Sequence, residues 1–352
     1  LIENLNNFAE TIHIKLNLLD MIEFNVKSVF FASVLAAILL GCNSGEPSPS
    51  SRSKNLQKFV AVTQIVEHPS LDATRQGIQD ELAAAGLKAG ETLKWEWESA
   101  QGNPSTAAQI ANKFVGENPD VIVAIATPSA QASVAVARNI PVIFSAVTDP
   151  IGAKLVNNLE KPGGLVTGVT DLSPINKQLD LIQEITPTVK RLGVIYNSGE
   201  ANSVSLVDLL KIEVTKRGLT VVETTANRSS DVATSARSLV GKVEAIYIPT
   251  DNTIVSALES VVQVGFDNDI PVYAGDTDSV KRGAMAGLSF NYYDVGRQTG
   301  KLVLQVLNGE NPGDIPVKSV EELQLLINQK SAKEMGIKIP EFVLKKASQT
   351  IN

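Results

Sequence analysis

The sequence predicts an α/β protein folded as two similar lobes, each a parallel sheet flanked by helices. Three observations carry this expectation. From Lys58 onward short β-rich runs alternate with helical stretches, the same order restarts near Leu192, and local sequences recur at corresponding places. A chain of 352 residues also fits two domains better than one.

In the first half the expected strands are Phe59–Ile65, Leu93–Glu98, Val121–Ile125 and Val142–Phe144. Between them Leu71–Ala85, Ser105–Val115 and Ala130–Arg138 are apolar at helical spacing and bounded by Gly, Pro or Asn. Alternation of this kind places parallel strands between helical layers, so each lobe is expected to be Rossmann-like. In the second half, strands Leu192–Tyr196, Leu219–Thr224, Ala245–Ile248 and Val272–Ala274 alternate with helices Ser203–Arg217, Asp231–Val240 and Thr253–Phe266. Ile140-Pro141-Val142 leads to Val147-Thr148-Asp149, as Ile270-Pro271-Val272 leads to Asp276-Thr277-Asp278. Asn291–Leu307 then reads as a further amphipathic helix and Leu323–Ile327 as a last strand. Three crossings between lobes, a three-segment hinge, are expected near Asp171, Leu288 and Val320. They divide the chain into lobe 1 (56–171 and 288–319) and lobe 2 (172–287 and 320–352).

The segment before the lobes reads as export machinery. Lys27 precedes Val29–Leu40, 12 residues without a charge, which run into Leu39-Leu40-Gly41-Cys42. A basic residue, a short apolar core and a small residue before a cut describe a secretory signal. The run is too short to span a bilayer, which needs about 20 residues. Leu-Leu-Gly-Cys resembles the bacterial lipobox, which implies that Cys42, the single cysteine, carries the lipid and becomes the mature N-terminus. Met21 is the first methionine, so residues 1–20 read as a mis-set start and residues 21–41 as the signal peptide. Residues 42–55, rich in Ser and Pro, read as a lipidated tether.

In open parallel sheets ligands bind beyond the carboxyl ends of the strands. The loops there are polar. Candidate ligand-binding residues are Gln64, Glu67, His68, Thr127, Ser129, Ala130, Thr148 and Asp149 in lobe 1, with Asn197, Glu200, Asn202, Ser203, Asp251, Asn252 and Asp276 in lobe 2. Several also read as caps, Thr127 before Pro128 and Asp251 or Asn252 among them. Helix starts and hydroxyls around Thr127, Ser129 and Thr148 suit a carboxylate. Asp251 or Asp276 would take an ammonium through charge-assisted hydrogen bonds. The set is therefore expected to hold a small zwitterion.

The segments Glu67–Asp72, Ala124–Ala132, Ala146–Pro150, Gly164–Asp171, Tyr196-Asn197 with Asn202-Ser203, and Pro249–Asn252 carry a family likeness. Through them the sequence resembles the type I periplasmic-binding-protein fold, in the bacterial lipoprotein group that includes tryptophan-binding ABC components. The resemblance implies an extracytoplasmic protein that closes on an amino acid, an aromatic one first, and delivers it to an ABC permease.

Other functions fare less well. One histidine, His68, and no free thiol remain after the signal, so Cys-based catalysis and a multi-His metal site are excluded, and neither enzyme activity nor a cofactor is expected. Gly296-Arg297-Gln298-Thr299-Gly300-Lys301 has the wrong spacing for a phosphate loop and reads as the surface of a helix. A net charge of −7 gives no reason to approach nucleic acid. A binding lipoprotein that hands a nucleoside or sugar to a sensor or receptor stays open on sequence.

Overall fold

The computed structural model describes residues 57–352. The expected leader, Cys42 and the tether lie outside them. The first lobe opens with β1 (Lys58–Gln64), α1 (Pro69–Ala84), β2 (Leu93–Ser99), α2 (Pro104–Glu117), β3 (Val121–Ile125), α3 (Thr127–Val136), β4 (Val142–Val147) and β5 (Val166–Thr170). β3 and β4 are buried along their whole length, because helices cover both faces of the sheet.

The second lobe follows with α4 (Ile175–Ile185), β6 (Arg191–Tyr196), α5 (Ala201–Lys216), β7 (Thr220–Thr225), α6 (Val232–Ser238), β8 (Ala245–Ile248), α7 (Asn252–Ser256), α8 (Leu258–Asp267), β9 (Val272–Ala274), α9 (Thr277–Lys281) and β10 (Ala286–Ser289). The chain then returns to the first lobe for α10 (Tyr292–Leu307) and β11 (Lys318–Ser319). It ends in the second with β12 (Gln324–Asn328), α11 (Gln329–Glu334), α12 (Glu341–Leu344) and β13 (Gln349–Ile351).

The first sheet runs β11-β5-β4-β3-β1-β2, with every pairing parallel. The second runs β13-β12-β10-β9-β8-β6-β7, and its one antiparallel pairing joins β10 to β12. Each lobe has its own hydrophobic core. Phe290, Tyr292, Val295 and Leu302 belong to the first core, so α10 is a lobe 1 helix despite its late position in the chain.

The chain passes between the sheets at residues 171–174, 290–291 and 320–323. Leu288 lies inside β10, paired with Leu325, so the second passage follows Ser289. Other differences are local. α3 starts at Thr127 rather than Ala130, and its N-cap is Ala126, at φ 72°, not Thr127. The helix expected over Thr253–Phe266 is two, α7 and α8, meeting at Ala257. The segment around Gly296 and Gly300 is not surface: a Cβ on Gly296 would stand 2.0 Å from the Thr74 carbonyl oxygen of α1. Its glycines let α10 and α1 pack backbone to backbone.

Candidate functional site

The carboxyl ends of both sheets meet across the gap between the lobes. There about 320 Å³ of empty space is lined by His68, Ser70, Leu71, Ala146, Thr148, Asp171, Asn202, Thr250, Asp251, Asn252, Val255, Asp276 and Tyr292. Loops after β1, β4 and β5 and the start of α10 supply one wall. Loops after β8 and β9 and the start of α5 supply the other.

Of the residues expected from sequence, His68, Thr148, Asn202, Asp251, Asn252 and Asp276 line this space. Gln64, Glu67, Thr127, Ser129, Ala130, Asp149, Asn197, Glu200 and Ser203 lie outside its lining. Most of these have other partners. Gln64 is held by Asp72 and Arg75 beneath the first turn of α1. Exposed Glu67 accepts from Gln101 at 2.8 Å. Asn197 donates its backbone N–H to Asp251 at 2.6 Å. Buried Glu200 accepts from the Asn252 side chain at 2.5 Å and the Thr253 hydroxyl at 2.8 Å, which orders the start of α7. Asp149 accepts the Gly152 N–H within its own turn and the Ser205 hydroxyl from the opposite lobe at 3.0 Å. The hydroxyls of Thr127 and Ser129 are buried and unpartnered.

Ser70, Leu71, Ala146, Asp171, Thr250, Val255 and Tyr292 complete the lining without having been singled out as contacts. Ser70 and Leu71 stand in the same short segment as His68, in the first turn of α1, and that neighbourhood was the available signal. Tyr292 carries no local signal, because its place depends on α10 returning to the first lobe.

Polarity is concentrated here. Nδ1 of His68, Oδ1 of Asn202 and Oγ1 of Thr250 are buried without a hydrogen-bond partner. Three buried aspartates share the wall. Asp251 caps α7, accepting the Ile254 N–H at 2.8 Å. Burial, then the charge of Glu200, push its carboxyl up to about 7. Asp276 caps α9 through the Ser279 N–H at 2.8 Å and accepts the Ser70 hydroxyl from the opposite lobe at 3.0 Å. Asp171 accepts the Thr148 hydroxyl at 3.0 Å and the Tyr292 hydroxyl at 2.8 Å. Burial raises both carboxyls above their ordinary range, against the pull of these hydroxyls. Burial, then Arg282, lower His68 to about 4, so its ring is neutral at neutral pH. Behind the site Tyr247 donates to Gln178 at 2.6 Å, and Gln178 donates to the Leu288 carbonyl at 2.8 Å.

Among the described residues no group of His, Cys, Asp or Glu is arranged to hold a metal ion. No described helix is long and apolar enough to cross a membrane. The arrangement suits noncovalent enclosure of a small polar molecule: hydroxyls, an amide oxygen and carboxylates converge on one space, while Leu71, Val255 and the Tyr292 ring offer apolar surface.

A family model described as "ABC transporter substrate binding protein" matches residues 59–351. A tyrosine-binding protein of Clostridioides difficile is 40% identical over 318 residues, 89% of this chain and 92% of its own length. Among solved structures, a Streptococcus pneumonia ABC domain in complex with L-Trp is 41% identical. It overlaps with a TM-score of 0.81, covering 84% of this chain and 100% of its own. A ligand-free, open substrate binding protein from Clostridium difficile is 38% identical and covers 84% and 100%, but with a TM-score of only 0.64. At nearly equal identity the lobes thus match the ligand-bound relative better than the open one, in keeping with the Ser70–Asp276 and Ser205–Asp149 bonds across the gap. By its two lobes, its enclosed polar gap and this match over nearly all the described residues, the chain belongs to the ABC transporter substrate binding proteins.

Proposed function

We propose that this protein captures a single amino acid with an aromatic side chain between its lobes and presents it for uptake. As an ABC transporter substrate binding protein it is extracytoplasmic and works with a membrane permease. The observation that carries the ligand reading is the cavity wall, where buried carboxylates and unpartnered polar atoms face apolar surface. The space is small, lined by thirteen residues drawn from both lobes, which favours an amino acid over an oligosaccharide or peptide. The names of the relatives, one tyrosine-binding and one holding L-Trp, favour an aromatic side chain.

In this reading the ammonium pairs with the aspartates, Asp276 foremost. The carboxylate is received by Thr148 and the first turn of α1, which has no side-chain cap and whose backbone N–H groups favour an anion. Thr127 and Ser129, the sequence-based choice for the carboxylate, yield that role because they stand outside the lining. Leu71, Val255 and Tyr292 pack against the ring. The protein does no chemistry on its ligand. It is held at the membrane by lipid on Cys42 after removal of residues 21–41 as a signal.

A thermal-shift and calorimetric screen of the purified protein against L-Trp, L-Tyr, L-Phe, glucose and inosine tests the ligand reading. A bound aromatic amino acid at a hundredfold excess over Kd should stabilise the protein by about 2.7 kcal/mol. Binding of the sugar or nucleoside, with no response to the amino acids, overturns it.

A further inference from the structure

Closing this cavity without a ligand meets an electrostatic obstacle. Asp171, Asp251 and Asp276 all line it, and none of its lining residues, all among those described, is a Lys or Arg. Glu200 adds negative charge beside Asp251, and Asp278 beside Asp276 and Tyr292. Arg282, the cation that bears on His68, is engaged by both carboxylate oxygens of Glu259 at 2.8 Å. Closing the empty cavity therefore buries acidic groups with no local cation, and they must either stay charged at a cost or take up protons, as their raised carboxyls show.

The three aspartates are not equivalent. Asp251 and Asp276 accept backbone N–H groups at helix starts. Asp171 lies in the first passage between lobes and accepts the hydroxyls of Thr148 and Tyr292. Both hydroxyls belong to the first lobe, so Asp171 is fixed to that lobe. Asp276 belongs to the second. The two line one cavity, and the charge of Asp276 is felt at Asp171. Oδ1 of Asn202, a residue only 3% exposed, stands unpartnered in the same wall and is a ready acceptor for a further N–H. The carboxyls and the amide oxygen offer acceptors for the three N–H donors of an organic ammonium.

We propose that the ligand's ammonium bridges Asp171 of one lobe and Asp276 of the other, and that repulsion between these carboxylates keeps the empty protein open. The ligand then supplies the charge that makes closure favourable, so a closed surface is offered to the permease only when the cavity is filled. The clamp rests on the amino-acid reading above. The gate rests on the carboxylates alone.

Asp171→Asn, Asp276→Asn and the double variant test both parts. Asn caps a helix about as well as Asp, so α9 keeps its start. Small-angle scattering of the ligand-free proteins should show each variant more compact than wild type, the double variant most. Calorimetry should show L-Trp or L-Tyr bound about thirtyfold or more weakly by each single variant. Indole-3-propionate, which lacks the ammonium, should leave wild type open. Wild-type scattering from the empty double variant, or unchanged amino-acid affinity in both single variants, overturns the proposal. If wild type binds none of the amino acids, the aromatic-ligand reading fails, and the gate is still decided by scattering of the empty proteins.

Discussion

Asp251 and His68 share the cavity wall, yet burial moves them in opposite senses. Asp251 has its folded pKa raised to about 7 from an unfolded value near 3.9. Between these values the unfolded chain gives up its proton while the folded protein keeps it. The contribution of Asp251 to stability is therefore greatest below about pH 4 and falls as pH rises toward 7. His68, lowered to about 4, contributes stability above about pH 6.5 that is lost as pH falls toward 4. Asp251→Asn removes the Asp251 contribution alone, so the melting temperature of the empty variant relative to wild type should rise from pH 4 to pH 7. A constant difference across that range would mean that Asp251 ionises as freely in the fold as in water. At this scale polar residues at strand ends flagged Asp251 and Asp276, and both are helix caps on the cavity wall. Asp171 was legible only as a crossing point, because its chemistry comes from Thr148 and from Tyr292, 121 residues along the chain.

Elements were readable in proportion to how fully they are buried. β3, β8 and β9 fall within the bounds expected from sequence, since a strand covered on both faces is a plain apolar run ended by polar loop residues. β5, Val-Thr-Gly-Val-Thr, lacks that signature. Its Gly168 is required because a Cβ there would stand 2.1 Å from the Phe144 carbonyl oxygen. α4 was not singled out from sequence, although Ile175, Leu179, Ile182 and Ile185 are buried at ordinary helical spacing. The contact between α1 and α10 was not legible either, because it joins helices more than 200 residues apart. A Cβ on Gly77 would meet the Tyr293 carbonyl oxygen at 2.2 Å and the Arg297 backbone nitrogen at 2.9 Å. Backbone cannot yield as a side-chain tip can, so Gly77→Ala must push α1 away from α10. Overpacking of this kind costs about 1–3 kcal/mol. Urea denaturation should show the midpoint lowered with little change in slope. An unchanged midpoint would mean that the two helices separate freely, and would undercut the rigid seating of Tyr292.

On the scale of the whole molecule, the chain order of the lobes matters less than the three passages that join them. Duplication was legible from recurring segments, whereas α10 and β11 joining the first sheet, and β12 and β13 the second, follow from the path of the chain. A substrate binding protein works with a membrane permease, and the proposed lipid on Cys42 would keep it beside that permease. Val29–Leu40 has only 12 residues, too few to remain as a span, which needs about 20. Without a lipid, removal of the leader would release the protein. Acyl chains on Cys42 would each add about 0.8 kcal/mol per buried CH2, and more than one chain makes the attachment durable. Cys42→Ser is therefore expected to abolish acylation and to leave the protein soluble after export or as unprocessed precursor, while ligand binding by the purified lobes is unchanged. Labelling with a radioactive fatty acid, followed by membrane fractionation, measures this directly. Wild-type incorporation of label into the Ser variant would place the anchor elsewhere and remove the reason for reading Leu39-Leu40-Gly41-Cys42 as a processing site.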